Sequence, residues 1–237
     1  MTSSDTAAQS GTRFEMLNPQ DHRKLRLASG ANFDRHFVQI VASEFTAAAA
    51  CCPILLTKDS TTGNFYVGAM LGFKPGECLL PSASDRGGFQ PLNLQRDGFF
   101  ISGQQIAIDV SNPRFSELRG ESLFDEGEQP SAHLRHIQRV LGQLKEGLES
   151  TDAFIGNLVK YKLVEQIDIA MNFDNGERLE LKGLYTVSLD ALHALPDHVA
   201  LELFRRGDLQ RIYIMNASLT QIAVLADKRN RLILGSA

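Results

Sequence analysis

The sequence predicts an α+β fold, a single mixed domain in which antiparallel hairpins share a core with packed helices. Three observations lead there. Residues 164–188 carry apolar side chains at every second position, Ile167, Ile169, Met171 and Phe173 and then Leu179, Leu181, Tyr185 and Val187, which is the period of half-buried strands. Leu134, Ile137, Leu141, Leu144 and Leu148 recur at helical spacing behind Ser131, whose hydroxyl can cap the first turn. The chain of 237 residues is 43% hydrophobic, enough for a sizeable core, and no repeat or low-complexity linker divides it.

The hairpin register follows from its turn. A two-residue Asn175-Gly176 loop sets Phe173 against Arg178 and mixes apolar with charged residues on both faces. A three-residue loop, Asp174-Asn175-Gly176 with glycine in the left-handed position, instead pairs Met171 with Leu179 and Ile169 with Leu181. It also puts Asp168 opposite Lys182 and Asn172 opposite Arg178. Such cross-strand pairs contribute ~0.2–1 kcal/mol each, so burial of the odd-numbered row decides the register.

In chain order, residues 1–16 are small and polar and read as a flexible tail, and 17–27 as an irregular lead-in. A short strand is expected over 37–41. Ser43 then caps an alanine-rich helix that Pro53 closes. Residues 54–57 and 65–73 read as buried strands, and 99–110 as strand around Gly103. Between them, 74–98 is an irregular segment with Pro75, Pro81 and Pro91, of a length common in binding loops. Residues 115–130 form an acidic loop. The helix after Ser131 is followed by a second one from Thr151. Beyond the hairpin, Ser188 caps 189–195, Asp197 restarts a helix that Gly207 ends, 209–215 reads as a last strand, and 219–229 as a terminal helix.

A net charge of -4 argues against nucleic-acid binding through a general basic field. The N-terminal stretch lacks an apolar run of signal-peptide length, and nothing approaches a membrane span. Cys51, Cys52 and Cys78 read as reduced thiols of a cytoplasmic protein.

Reactive clusters are not evident in the sequence. His133 and His136 lie one turn apart without a third ligand, and no His-Glu-x-x-His, Cys-x-x-Cys, nucleophile-elbow or phosphate-loop pattern occurs. No metal or cofactor is expected. The candidate contact residues are Glu44, an acid in the first turn of an apolar helix, Arg96 with Phe99 and Phe100, and Asp125 in the acidic loop.

Several segments, in order, resemble the bacterial SapC family: Ser43-Glu44-Phe45 with its alanines and Pro53-Ile54-Leu55, residues 96–100, 120–127 (GESLFDEG), 183–187 (GLYTV) and 207–218. The similarly named permease of a peptide transporter is a different protein. Where family members usually have Arg-x-Pro-Phe, this chain has Arg96-Asp97-Gly98-Phe99. The resemblance implies one SapC-like α+β domain over 17–237 and an association with a bacterial surface layer. Look-alikes occur in loci beside TonB-dependent receptors, flavin-dependent halogenase-like proteins and cupin-like proteins. The resulting expectation is a non-enzymatic cytoplasmic accessory or binding protein acting with a modification or nutrient-uptake system. Two alternatives stand beside it: a surface-layer component exported without a Sec signal, and an enzyme with its site near Glu44 and the 74–98 loop.

Overall fold

The computed structural model describes residues 13–28, 35–80 and 88–235. In chain order the first elements are β1 (Phe14–Met16), α1 (Pro19–His22), β2 (Arg26–Leu27) and β3 (Phe37–Gln39). A 3-10 turn (Ala42–Glu44) then leads into α2 (Phe45–Ala49), β4 (Ile54–Lys58), β5 (Phe65–Met70) and α3 (Leu92–Gln95). Next come β6 (Phe99–Ser102), β7 (Gln105–Asp109), β8 (Phe115–Ser116), β9 (Glu121–Ser122) and the long α4 (Ala132–Lys160). The hairpin β10 (Val164–Asn172) and β11 (Arg178–Val187) precedes α5 (Leu189–His193), α6 (Asp197–Arg205), α7 (Asp208–Ser218) and α8 (Gln221–Gly235). Helices and antiparallel sheets together make an α+β protein. They group into two compact units, Met1–Asn32 with Gln95–Gly142 and Phe33–Leu94 with Gln143–Ala237.

In the first unit, β1, β7 and β6 form an antiparallel sheet in that order, and β8, β2 and β9 a second one. Leu27, Phe99, Ile108, Leu123, Leu134 and Ile137 supply its core. Two expectations change here. The last residues of the expected tail are strand, because Phe14, Glu15 and Met16 pair with Asp109, Ile108 and Ala107. The expected irregular lead-in holds α1, which Asn18 caps by accepting from the Asp21 amide at 2.9 Å, with Pro19 at the first helical position. Phe99 to Asp109 is a tight hairpin that turns at Gly103, where φ is +62°.

The second unit is built on a five-stranded sheet, β10-β11-β4-β5-β3, whose central strand β4 is buried on both faces. In β4, Ile54 and Leu56 point into a cluster with Phe45, Phe154, Leu158 and Met215, while Leu55 joins Met70, Ile169 and Leu225 on the other side. All three β4 residues are fully buried, each stabilising the fold by ~1.5–3 kcal/mol relative to exposure. The hairpin register is the expected one near the turn, with Met171 opposite Leu179, Ile169 opposite Leu181 and Asn172 opposite Arg178. Gly176 closes the three-residue loop at φ +82°.

Further along, a bulge intervenes: Ile167 faces Leu184, so Lys182 and Gly183 together face Asp168 and the expected Asp168–Lys182 pair does not form. Gly183 takes φ +76°, the left-handed bulge position. The extra residue turns Leu184 toward the Leu55 side and leaves Tyr185 and Val187 on the Ile54 side. One strand thereby serves both cores.

Three other expectations are corrected. The two helices expected to meet at Thr151 are one continuous 29-residue helix. Ser150-Thr151-Asp152 resembles a helix start, but the Thr151 hydroxyl donates to the Gly147 carbonyl at 2.6 Å, satisfying itself inside the helix. Residues 209–215 are helix α7, with Asp208, Ile212, Met215 and Ser218 buried at helical rather than strand spacing. Within the 74–98 segment, Leu92–Gln95 are helical, residues 74–80 and 88–91 lie outside helices and strands, and 81–87 lie outside the described residues. Ser131, Ser188 and Gly207 act at helix boundaries as expected, and α8 runs on through Ile233.

Candidate functional site

Glu44 closes the 3-10 turn before α2 and is 7% exposed. Its own carboxylate does the capping expected of Ser43, with Oε2 accepting from the Val41 amide at 3.0 Å. Oε1 accepts from the Leu92 amide at 2.8 Å, tying the start of α3 to the start of α2. Burial pushes the carboxyl above its usual range, and the two amide hydrogen bonds only partly offset that. The residue lines a groove of about 560 Å³ with Ser43, Phe89, Glu146, Ser150 and Arg211. Arg211 is engaged on Asp208 (3.0 Å) and Ser150 (3.3 Å). Gly147 lets α4 approach Val41 here, since a β-carbon would fall 2.6 Å from that side chain.

The other four candidates belong to the first unit. Pleating sends Phe99 inward, where it is fully buried against Ile108 and Phe115, and Phe100 outward. Arg96 donates to the Phe99 carbonyl at 3.1 Å and its guanidinium sits 5.1 Å from the Phe100 ring, a cation–π distance. Register places Met16, Ala107 and Phe100 in one row across the sheet, with Phe14 two residues along the same face. Phe14 meets Phe100 edge to face at 5.0 Å. Phe14 is 57% exposed and Met16 46%, so this outer face presents apolar surface beside a cation. Phe99 is thus a core residue, whereas Arg96 and Phe100 share the outer face. Asp125 stands apart from them: its Oδ1 accepts from the Gly127 amide at 3.0 Å and the Gln129 amide at 2.9 Å, closing its own turn.

Sequence reasoning missed Phe14 and Met16, whose alternation with Glu15 was the available signal. It also missed His22, which is 5% exposed, holds Glu15 at 3.2 Å and lines a groove of about 670 Å³. The motif Asn18-Pro19-Gln20-Asp21, a helix start, could have located that histidine at the end of a short helix. His133 and His136 sit at the rim and on the surface of α4, their rings 6.5 Å apart. Among the described residues no three or more His, Cys, Asp or Glu side chains converge as metal ligands, and no helix is long and apolar enough to cross a membrane.

Compared with known families, residues 17–225 match SapC. The chain belongs to the SapC family. The match covers all five candidate residues of this SapC-family protein and extends over elements of both units. Neither a curated protein nor a solved structure matches it.

Proposed function

We propose that this SapC-family protein is a non-enzymatic accessory protein of the cytoplasm that binds a protein partner through the outer face of the β1-β7-β6 sheet. The observation that carries the reading is the alignment of Phe14, Met16 and Phe100 on one face with Arg96 stacked at its edge. Aromatic residues, methionine and arginine are the types enriched where proteins dock. Glu44 and Asp125 support the non-enzymatic part, because their carboxylates are engaged by backbone amides of their own surroundings. Residues 17–237 act as one domain in this reading, a view the family match across both units supports. The partner is a halogenase-like, cupin-like or TonB-dependent uptake protein, the neighbours that the family resemblance suggests.

Affinity purification of the full chain from its native host tests this, run beside a Phe14→Ser/Phe100→Ser variant whose circular dichroism matches the parent. The expected result is a partner of one of those classes recovered with the parent and lost with the variant. Equal recovery by both forms overturns the assignment of the surface. Cell fractionation tests the location, since protein on the cell surface favours a surface-layer component instead.

One observation favours a second reading, an enzyme: the Glu44 carboxyl, raised by burial, lines a groove. An activity that Glu44→Gln abolishes while Leu92 stays docked is the result that establishes it.

A further inference from the structure

The five-stranded sheet of the second unit ends on two unlike edges. β3 is three residues long, and the Asn93 side chain donates to its Gln39 carbonyl at 2.9 Å. β10 is nine residues long. The phase of its ladder is fixed at both ends: the Ser188 amide donates to the Leu163 carbonyl at 2.8 Å, and the Phe173 amide to the Glu177 carbonyl at 2.9 Å. Odd-numbered residues of β10 therefore bond to β11, and the main-chain groups of Gln166, Asp168, Ala170 and Asn172 point away from the sheet. All four residues are exposed, and among the described residues no group outside β10 bonds to these main-chain atoms. The extra residue of the bulge lies on β11, so β10 keeps one phase from end to end.

Long edges are usually blunted by lysine, proline, a bulge or a cover. β10 has none of these and carries two acids, Glu165 and Asp168, on opposite faces of the strand. Both are exposed, and among the described residues neither pairs with a cation. Lys182, which with Gly183 faces Asp168, is taken by Glu180 at 3.1 Å.

We propose that the outer edge of β10 takes an added β-strand from a protein partner, an extended segment with lysine or arginine residues three apart. Free amides and carbonyls on alternate residues supply the general attraction, as in other strand-addition complexes. Charge supplies the selection: a strand laid along β10 places residues three apart opposite Glu165 and Asp168, one on each face. A second copy of the chain fits poorly, because pairing two β10 strands antiparallel about their midpoint sets Asp168 against Asp168. This edge belongs to the second unit and shares no residue with the β1-β7-β6 face, so the two readings stand or fall separately.

The test uses the full chain and a short valine–threonine peptide carrying lysines three residues apart, with a glutamate version as control. Amide hydrogen exchange reads the contact. The expected result is slower exchange at Gln166, Asp168, Ala170 and Asn172 with the lysine peptide, weakening as salt rises, and no change with the glutamate peptide. Ala170→Pro removes one outward amide and no ladder bond, a substitution that edge strands tolerate, and it abolishes the protection. Asp168→Lys leaves every main-chain group in place and lowers affinity for the lysine peptide by ~5-fold or more, and it carries the test if the proline variant fails to fold. Equal protection by both peptides, protection by neither, or unchanged binding by Asp168→Lys overturns the proposal. Protection that grows with protein concentration alone assigns the edge to a second copy and overturns it too.

Discussion

Removing the Glu44 carboxylate should loosen one identifiable place. In Glu44→Ala, the Val41 amide is left buried without an acceptor and the Leu92 amide half-buried without one. An orphaned buried donor costs ~1–3 kcal/mol, so the two sum to ~2–6 kcal/mol. The part-burial of Leu92 and the relief of a desolvated carboxylate bring the expected net to ~2 kcal/mol. Glu44→Gln keeps one acceptor but turns an amide NH2 toward the second donor, for an expected loss of ~1 kcal/mol.

The pH dependence has a definite sign. Burial raises the folded carboxyl above its unfolded value, so its contribution is fully present below the unfolded pKa and lost as pH rises through the raised one. The stability of the parent relative to Glu44→Gln should therefore fall across that window. Urea denaturation at several pH values reads the global effect, and residue-resolved amide exchange at Leu92 and Val41 reads the local one. A Glu44→Ala protein within ~0.5 kcal/mol of the parent, with Leu92 exchanging at the parental rate, would refute the reasoning.

Thr151 gives a related expectation: its hydroxyl also accepts from the Ala42 amide at 2.8 Å, so Thr151→Val should cost ~1–3 kcal/mol in urea midpoint shifts despite its matched shape. Gly183→Ala should cost ~1–2 kcal/mol by thermal or urea unfolding from left-handed strain alone, because nothing lies within 4 Å of the added methyl. Gly68→Ala should be worse than Gly183→Ala, since its β-carbon would fall 2.1 Å from the Phe37 ring. Arg229 stacks on Phe173 at 4.1 Å and holds Glu77 and Glu177, and the Lys74 ammonium, with Arg229, keeps the Glu177 carboxyl below its usual range. That contribution is present above the unfolded carboxylate pKa and lost as pH falls through the depressed value. Arg229→Met should flatten part of this acid-side loss in a pH series of unfolding curves.

The parts of the fold legible from sequence are those where one local pattern meets no competitor. The odd-numbered row from Ile167 to Phe173 decided between the two possible turns at Asn175-Gly176, and Ser131 and Ser188 each had a single physical reading. The errors fall where tertiary contacts overrule local chemistry. Thr151 reads as a helix start until Ala42 supplies the partner that keeps it inside α4. Ile212 and Met215 read as strand residues unless Asp208 and Ser218 are counted among the buried set. The bulge at Gly183 had a signal, a glycine inside an alternating run, but the alternation resumed in a form that hid the extra residue. For the site, Glu44 and the Arg96–Phe100 pair were accessible to sequence reasoning. Phe14 and Met16 carried only a three-residue alternation with Glu15, too short to mark a strand without the β7 partner it pairs with.

The most direct measurement is quantitative cross-linking of the native-host protein through a photoreactive residue at position 14. The account predicts one dominant adduct, to a protein of the halogenase-like, cupin-like or uptake class, that disappears when Phe100 and Arg96 are replaced by serine. Adducts spread evenly over unrelated proteins, or a single adduct indifferent to those replacements, would contradict it.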